Sequence, residues 1–379
     1  MEPAIRRAEP EDLEKLIRLA TEAFSLGPTD IPIETAFSHL MSKENARNFV
    51  VMERDGALLS MVGSFHSTIH LHGARLPVAS IGAVCTGNGE RGKGFASSLL
   101  RWMEMRLGER GTPLMLVSGT LPIYTRSECF PAGEQFQVLV AGAGLEINAE
   151  QLSSRLCGYQ GNRLKDLMKV YTLEPVRFER SSALFETLLR NQPYLSYRKR
   201  HPDTVLLYRA GAPVAYAVAG GPGASEREFC EITEFGGADE DVLELLQQFA
   251  KQQRGAPILV NVPSYRRSLA QLLASRGARI TTGPISGTIK IIDFLKLWSD
   301  LKPLLVSRMG VDCYEAIEVE RRGDSWTLSL DSQTEFLDHR AALNLVFSGP
   351  QAPDKSPLTE ALYRAFPMPF VDPYNLNYI

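Results

Sequence analysis

The chain has 379 residues, of which 44% are hydrophobic, and a formal net charge of −3. This length and apolar content suffice for two or three domains with their own cores. The slightly acidic balance argues against nucleic-acid binding, which needs a basic footprint. No apolar run approaches the roughly 18 residues of a membrane span, and the N-terminus lacks the apolar stretch of a secretion signal. We therefore predict a cytoplasmic protein with no membrane or nucleic-acid partner.

The N-terminal part alternates strands and helices. A helix begins at Pro10, because proline and acidic residues are favoured in a first helical turn, and apolar residues then recur along it at helical spacing. A second helix begins near Phe95 and is followed by an apolar strand. The predicted strands are residues 4–7, 49–53, 58–66, 78–86 and 113–118.

An internal repeat links this part to the middle of the chain. Residues 110–117 read RGTPLMLV and residues 254–260 read RGAPILV, and a tyrosine and an arginine follow each copy. Strands at 205–209, 214–219 and 229–235 precede the second copy. One supersecondary unit is therefore predicted to occur twice.

The C-terminal part has a different pattern from about Asp300 onward. We predict a hairpin of residues 313–320 and 326–330, then helices at 334–342 and 358–366. The whole chain is thus predicted to have a mixed α/β (α+β) fold. The predicted domains are residues 1–150, 151–295 and 296–379.

The segment 87–96, GNGERGKGFA, connects a predicted strand to a predicted helix. Its glycines fit a dinucleotide fingerprint, but the next strand ends without the acidic residue that binds a ribose. They also nearly fit a P-loop, but Gly94 stands where magnesium requires serine or threonine. An ordinary glycine-rich turn explains the glycines but not the cations Arg91 and Lys93.

A pyrophosphate site explains the whole segment. Free N–H groups and the dipole at a helix N-terminus bind anions, and Gly92 and Gly94 allow close backbone approach. Arg91 and Lys93 add positive charge, and Ala96 keeps the first turn small. The corresponding turn of the second copy, residues 235–241, carries three acidic residues that would repel a pyrophosphate. We therefore expect the second copy to be structural.

The pattern Arg91-x-x-Gly94-x-Ala96, together with the repeat and the total length, resembles the GCN5-related N-acetyltransferase (GNAT) superfamily. Over nearly its whole length the chain looks most like the Eis-like (enhanced intracellular survival) branch. The resemblance implies tandem GNAT domains, the second degenerate, and a C-terminal domain like a sterol carrier protein. It implies acetyl-CoA as co-substrate and a homo-oligomer, a trimer or hexamer.

The resemblance also implies the site residues. Those expected to bind acetyl-CoA are Val84, Cys85, Thr86, Arg91, Gly92, Lys93, Gly94, Phe95, Ala96, Gly119 and Thr120. Tyr124 is the expected acid for the departing thiolate, although the glycine of the family pattern I-Y-x-R-x-G-[FY] is replaced here. The terminal carboxylate of Ile379 is expected to reach the active site as base or ammonium anchor.

The acceptor side is less defined by the sequence. Phe24 lies where the acceptor site of the family begins, and core packing explains it equally well. His66 is a candidate auxiliary base. His66, His70 and His72 alternate along a strand region, but no cysteine or acidic residue joins them, so we predict no metal. The five cysteines are widely spaced without a C-x-x-C pair, which argues against zinc and disulfides.

Two functions from different classes fit these observations. The first is an acetyl-CoA-dependent N-acetyltransferase that acts on a primary amine, such as an aminoglycoside, a polyamine or a lysine side chain. The second is a non-catalytic acyl-CoA or lipid-binding protein that uses the sterol-carrier-like part. Tyr124 close to an intact basic loop favours the enzyme.

Overall fold

A computed structural model describes residues 2–28, 30–145, 154–221, 229–351 and 356–379. Its described residues form two compact units. Unit 1 consists of the residues up to Gly133, Ser286–Met368 and Ile379, and unit 2 consists of Glu134–Ile285 and Pro369–Tyr378. The domain boundary predicted at 150/151 lies outside the described residues, and the division into three domains stays a prediction.

Unit 1 begins with the predicted order of strands and helices. Its sheet has the strand order β1-β2-β3-β4-β5-β14, antiparallel except for the parallel pair β4–β5. The elements up to Gly133 are β1 (Ala4–Arg7), α1 (Leu13–Ala23), α2 (Ile33–Ala36), β2 (Phe49–Arg54), β3 (Ala57–Leu71), β4 (Ala74–Thr86), α3 (Phe95–Glu109), β5 (Leu114–Val117) and α4 (Pro122–Arg126).

Helices α1 and α3 cover opposite faces of this sheet. Side chains alternate between the faces of a strand, and on β2 Val50 packs in the cluster of α3 whereas Val51 packs in the cluster of α1. Leu16 of α1 and Leu99 of α3 are fully buried in these clusters. The apolar spacing read from the sequence therefore corresponds to two separate core faces.

Unit 2 repeats the arrangement. Its sheet has the order β13-β6-β12-β11-β10-β9-β7, in which β11 and β12 form the parallel pair. The predicted internal repeat is confirmed, with α8 between β11 and β12 as α3 lies between β4 and β5. The elements are β6 (Gln135–Val140), β7 (Ser154–Gly158), α5 (Leu164–Leu173), β8 (Val176–Phe178), α6 (Ser182–Asn191), α7 (Pro193–Tyr197), β9 (Pro202–Arg209), β10 (Ala212–Gly220), β11 (Cys230–Gly237), α8 (Asp239–Gln252), β12 (Ile258–Pro263), α9 (Arg267–Ala274) and β13 (Arg279–Gly283).

The chain then returns to unit 1, where β14 pairs with β5. A small antiparallel sheet of order β15-β16-β17 and five helices follow. Their resemblance to a sterol carrier protein stays a prediction. The elements are β14 (Thr288–Ile291), α10 (Phe294–Asp300), α11 (Lys302–Met309), α12 (Val311–Ala316), β15 (Glu318–Arg322), β16 (Ser325–Leu330), β17 (Gln333–Leu337), α13 (His339–Ser348) and α14 (Pro357–Ala365).

Two predictions for this C-terminal part are wrong. Residues 313–316 belong to helix α12 rather than to a strand, because Gly310 turns the chain at a φ of 88° and a new helix begins directly after it. Residues 334–337 belong to β17, and helix α13 begins only after Asp338. The Asp338 side chain accepts a hydrogen bond from the amide of Ala341 at 2.7 Å, an N-cap that fixes this helix start.

No helix among the described residues is long and apolar enough to cross a membrane.

Candidate functional site

The sheet of unit 1 opens between β4 and β5. The ladder between these parallel strands ends at the pair Ile81–Val117, and β4 continues for five residues to Thr86. A register shift against β3 lies in the same stretch, where Ala83 adopts a φ of 50°. Past Ile81, the β5-facing edge of β4 therefore has amide and carbonyl groups outside that ladder. A ligand can pair with them, as the sequence predicts for Val84–Thr86.

The glycine loop lies between this open strand end and helix α3. Gly92 and Gly94 both have a φ of 80°, and a β-carbon on either would meet no atom within 4 Å. Glycine is therefore required there by backbone conformation rather than by space. Helix α3 begins at Phe95, so the N–H groups of its first turn, including that of Ala96, have no acceptor within the helix. Such an exposed helix start attracts anions.

Three charged side chains of the loop and one of β2 make the polar contacts here. Arg91 donates to the carbonyl of Ala23, the last residue of α1, at 3.1 Å. Lys93 and Arg54 both bind Glu90, at 2.9 and 2.7 Å. The hydrogen bond from Lys93, followed by that from Arg54, lowers the pKa of Glu90. Sequence reasoning missed Arg54 and Glu90, because Arg54 lies on β2 and reaches the loop only in the fold.

The C-terminal residue lies at the opening of the sheet. Ile379 is 6% exposed, and its main-chain oxygen accepts a hydrogen bond from the hydroxyl of Ser118, directly after β5. Its side chain and carboxyl carbon lie against Gly82, the first β4 residue after the ladder with β5. The structure therefore brings Ile379 to the splayed end of β4. Sequence reasoning missed Gly82 and Ser118, which have no local motif.

Cys85 lies in the same apolar cluster as Ile379, on the face of the sheet that α1 covers. Burial raises the pKa of its thiol to about 12. The thiol is therefore neutral at physiological pH and is a poor nucleophile.

Tyr124 lies on the short helix α4, beyond the end of β5. Its ring packs against Gly119, where a β-carbon would come within 2.8 Å of the ring. Thr288 of β14 holds the Gly119 carbonyl at 3.0 Å. Burial, with a smaller effect of Cys129, raises the pKa of Tyr124 to about 12, so the phenol keeps its proton. Within the described residues this hydroxyl has no hydrogen-bond partner, and it is available to a ligand.

Two further predicted residues lie at the surface near these elements. Phe24 is the C-cap of α1 and is 45% exposed, next to the residue whose carbonyl Arg91 binds. Core packing therefore does not explain Phe24. Thr120, directly after Gly119, is also exposed. Both are open to a ligand.

His66 is not brought to this opening. It lies on the α3 face of the sheet, and its Nε2 is 3.1 Å from the guanidinium of Arg110, the C-cap of α3. Burial, then the charge of Arg110, lowers the pKa of His66 to about 4. Ile379 packs on the other face, with α1. The neighbours of His66 give no support to its predicted role in the acceptor site.

The described residues contain no group of three or more His, Cys, Asp or Glu side chains that could hold a metal ion.

The turn of the second copy binds its own side chains instead of offering an anion site. The amide of Gly237 donates to Glu174 at 2.7 Å. Arg266 forms ion pairs with Glu174 and with Asp239, the first residue of α8. The Gly237 amide and the start of α8 therefore already have partners within unit 2.

One family model matches the N-terminal part of the chain. Residues 4–131 match the model of the acetyltransferase (GNAT) domain. No match is found among curated proteins. A GCN5-related N-acetyltransferase from Anabaena variabilis ATCC 29413 has a similar structure, with 16% identity, a TM-score of 0.70, and coverage of 97% of this chain and 99% of that one.

Two further solved structures share the fold. Eis1 from Mycobacterium abscessus is 13% identical, with a TM-score of 0.67 and coverage of 98% of this chain and 100% of that one. A protein from Enterococcus faecalis V583, described as a probable N-acyltransferase, is 14% identical, with a TM-score of 0.65 and coverage of 90% and 86%. At this identity the likeness establishes the fold alone.

The predicted fold class is confirmed, and the prediction of an acetyltransferase is confirmed at the level of the N-terminal domain. The family match covers residues 4–131, about a third of the chain.

Proposed function

We propose that this protein is an acetyl-CoA-dependent N-acetyltransferase that acts on a primary amine, such as an aminoglycoside, a polyamine or a lysine side chain. The observation that carries the proposal is the buried terminal carboxylate of Ile379 at the open end of β4, with Ser118 bound to its main-chain oxygen. A carboxylate in that place can accept a proton from an ammonium group. The GNAT match supplies the acyl-CoA chemistry.

Acetyl-CoA would bind along the open strand and the loop. The free edge of Val84–Thr86 would pair with the pantetheine amides. The N–H groups of Gly92–Ala96 and the guanidinium of Arg91 would hold the pyrophosphate. Gly119 and Thr120 would line the path between this strand and Tyr124.

The first chemical step is the attack of the amine on the thioester. An alkyl ammonium has a pKa near 10.4 and must lose a proton before it can attack. The carboxylate of Ile379 would accept this proton, directly or through one water. As the N–C bond forms, the carbonyl π electrons move to oxygen, and N–H groups of β4 near Cys85 stabilise the oxyanion.

The second step breaks the carbon–sulfur bond. The oxyanion re-forms the carbonyl and expels the CoA thiolate, while Tyr124 donates its proton to sulfur. The attacking nitrogen loses its second proton to bulk water, and the Ile379 carboxyl group releases there the proton it accepted in the first step. The phenol regains a proton from the same source. The products are the N-acetylated amine and CoA.

The proposal also includes a binding site for the acceptor amine. The exposed ring of Phe24 would form one apolar wall. The same hypothesis includes the Eis-like assignment. It also includes a degenerate second GNAT domain, a sterol-carrier-like third domain and a homo-oligomeric state. The likeness in fold to Eis1 over 98% of the chain supports it.

A thiol-release assay with acetyl-CoA and a broad panel of amines tests the proposal. The wild-type chain should release CoA with at least one amine. The same chain with two glycines added after Ile379 should lose most of this turnover, because the new terminus moves the carboxylate away. CoA binding without turnover on any amine would instead support the non-catalytic acyl-CoA or lipid-binding function.

A further inference from the structure

Unit 2 has an opening between its parallel strands at the same place in the repeat. The ladder between β11 and β12 ends at the pair Ile232–Val260, while β11 continues to Gly237 and β12 to Pro263. In unit 1 the matching opening is the proposed acetyl-CoA site. The corresponding opening of unit 2 is occupied by the C-terminal segment of the chain, residues 372–377.

Among the hydrogen bonds of this segment, three join it to the rest of unit 2. Asn261 of β12 donates to the carboxylate of Asp372 at 3.3 Å. Glu234 of β11 accepts from the amide of Leu376 at 3.4 Å. Arg180 donates from Nε to the side-chain oxygen of Asn377 at 2.7 Å. We call Arg180, Glu234 and Asn261 the tail site.

Arg180 and Glu234 form the centre of the tail site. Both terminal nitrogens of the guanidinium bind the carboxylate at 2.7 Å, and the two side chains are 0% and 8% exposed. Tyr216 donates to the same carboxylate at 2.9 Å. Burying such a pair costs desolvation, so it is weak evidence for a purely stabilising role. The remaining nitrogen of the Arg180 guanidinium, Nε, donates to the side chain of Asn377.

Asn377 and Tyr378 connect the tail site to Ile379, and contacts within unit 2 restrict the conformation of both residues. Asn377 is 3% exposed, and its backbone N–H donates to the side-chain oxygen of Asn375 at 2.7 Å. The ring of Tyr378 packs edge-on against Tyr194 at a centroid distance of 5.1 Å. Two residues span at most about 7 Å of chain. A fixed Asn377 therefore limits where the carboxylate of Ile379 can lie.

We propose that Arg180 and Glu234 are positioning residues that hold Asn377 and Leu376 and thereby place the terminal carboxylate in the active site. In this proposal unit 2 binds Leu376 and Asn377 at the opening that corresponds to the acetyl-CoA site of unit 1. The catalytic part of this inference rests on the proposed function. The binding of the tail can be measured without turnover.

Asn377→Ala is the test variant, because it removes the acceptor of Arg180 Nε and leaves the Arg180–Glu234 pair intact. Arg180→Ala is unsuitable, since it leaves Glu234 buried without a cation. Asn162→Ala is the matched control, because it makes the same change at an asparagine of unit 2 outside the tail site. The side chain of Asn162 is exposed, and none of the contacts described above involves it.

Two readouts are made on the full chain. The first is the release of Ile379 by carboxypeptidase Y under native conditions, followed by mass spectrometry. Loss of a charge-assisted hydrogen bond should raise this rate about tenfold or more in Asn377→Ala and leave Asn162→Ala within twofold of the wild type. The second is turnover, where kcat should fall about tenfold while KM for acetyl-CoA stays within twofold.

The outcomes separate the two hypotheses. Unchanged release of Ile379 from Asn377→Ala overturns the tail site, whatever the activity is. Faster release with unchanged kcat keeps the tail site as an anchor but overturns its role in positioning a base. Full activity of the chain extended after Ile379 overturns the proposed carboxylate chemistry itself, and the release assay still decides whether the tail site holds the terminus.

Discussion

The carboxyl carbon of Ile379 lies 3.0 Å from the point that a β-carbon on Gly82 would occupy. The Cγ1 atom of Ile379 lies 2.9 Å from the same point. Real β-carbons rarely approach backbone atoms so closely. The absence of a side chain at Gly82 therefore makes room for the terminus at the opening between β4 and β5.

Gly82→Ala should displace the terminal residue from this place. If the carboxylate is the general base, kcat should fall by about 10²-fold, the lower end of what a positioned base contributes. KM for acetyl-CoA should change little, because the loop is untouched. Steady-state kinetics with a saturating amine measures both constants.

Gly158→Ala is the matched control for Gly82→Ala, since Gly158 is also a strand glycine and a β-carbon there meets no atom within 4 Å. Its kcat should equal that of the wild type. Wild-type kcat in Gly82→Ala, with Ile379 displaced according to the carboxypeptidase assay, would contradict a catalytic role for the carboxylate.

Tyr124→Phe tests the proposed acid. It removes only the hydroxyl, and kcat should fall by about 10²-fold or more if that hydroxyl protonates the thiolate. The repeat offers a matched control in Tyr265→Phe, which changes the corresponding tyrosine after β12. That variant should keep wild-type turnover. Equal kcat in the two variants would leave Tyr124 as a packing residue.

Local patterns predicted much of unit 1. The spacing of apolar residues in α1 and the glycine loop are properties of neighbouring residues, so both could be read from the sequence. The repeat could be read because the segments 110–117 and 254–260 keep similar residues in the same order. Side-chain caps were harder: Asp338 begins α13, and the sequence pattern placed that helix several residues too early.

The long-range parts of the site could not be predicted from patterns. Gly82 and Ser118 matter because of Ile379, which is 261 residues beyond Ser118 in the chain. Arg54 reaches Glu90 from a strand 36 residues earlier. Each of these residues acts through a contact that forms only in the folded chain, and no local sequence motif predicts that contact.

Glu90→Gln should strengthen co-substrate binding. Glu90 neutralises Lys93 and Arg54 beside the loop, so its removal leaves both cations for the pyrophosphate. Exposed ion pairs are weak, and KM for acetyl-CoA should fall roughly two- to fivefold at low salt. The effect should shrink at high ionic strength, which screens exposed charges. KM is measured at two salt concentrations.

The control for Glu90→Gln is Glu109→Gln, which breaks a similar surface pair with Arg106 at the other end of α3. It changes the net charge equally but lies far along the helix from the loop. KM for acetyl-CoA should stay at the wild-type value in this variant. An equal fall in both variants would point to net charge rather than to the loop.

His66 should make the protein less stable in mild acid. Burial lowers its pKa to about 4, below the ordinary value of 6.5, so the unfolded chain binds more protons between these pH values. The free energy of unfolding therefore falls as the pH drops from 6.5 toward 4. After allowance for partial exposure, His66 should account for about 1–2 kcal/mol of the loss between pH 7 and pH 5.

His66→Gln removes this titration, and its free energy of unfolding should depend less steeply on pH over that interval. Urea unfolding at pH 7 and pH 5 gives the two values for each protein. The control is His201→Gln, the same substitution at an exposed histidine of unit 2. If His66→Gln and the wild type lose equal stability between the two pH values, the neutral, half-buried state of His66 beside Arg110 is wrong.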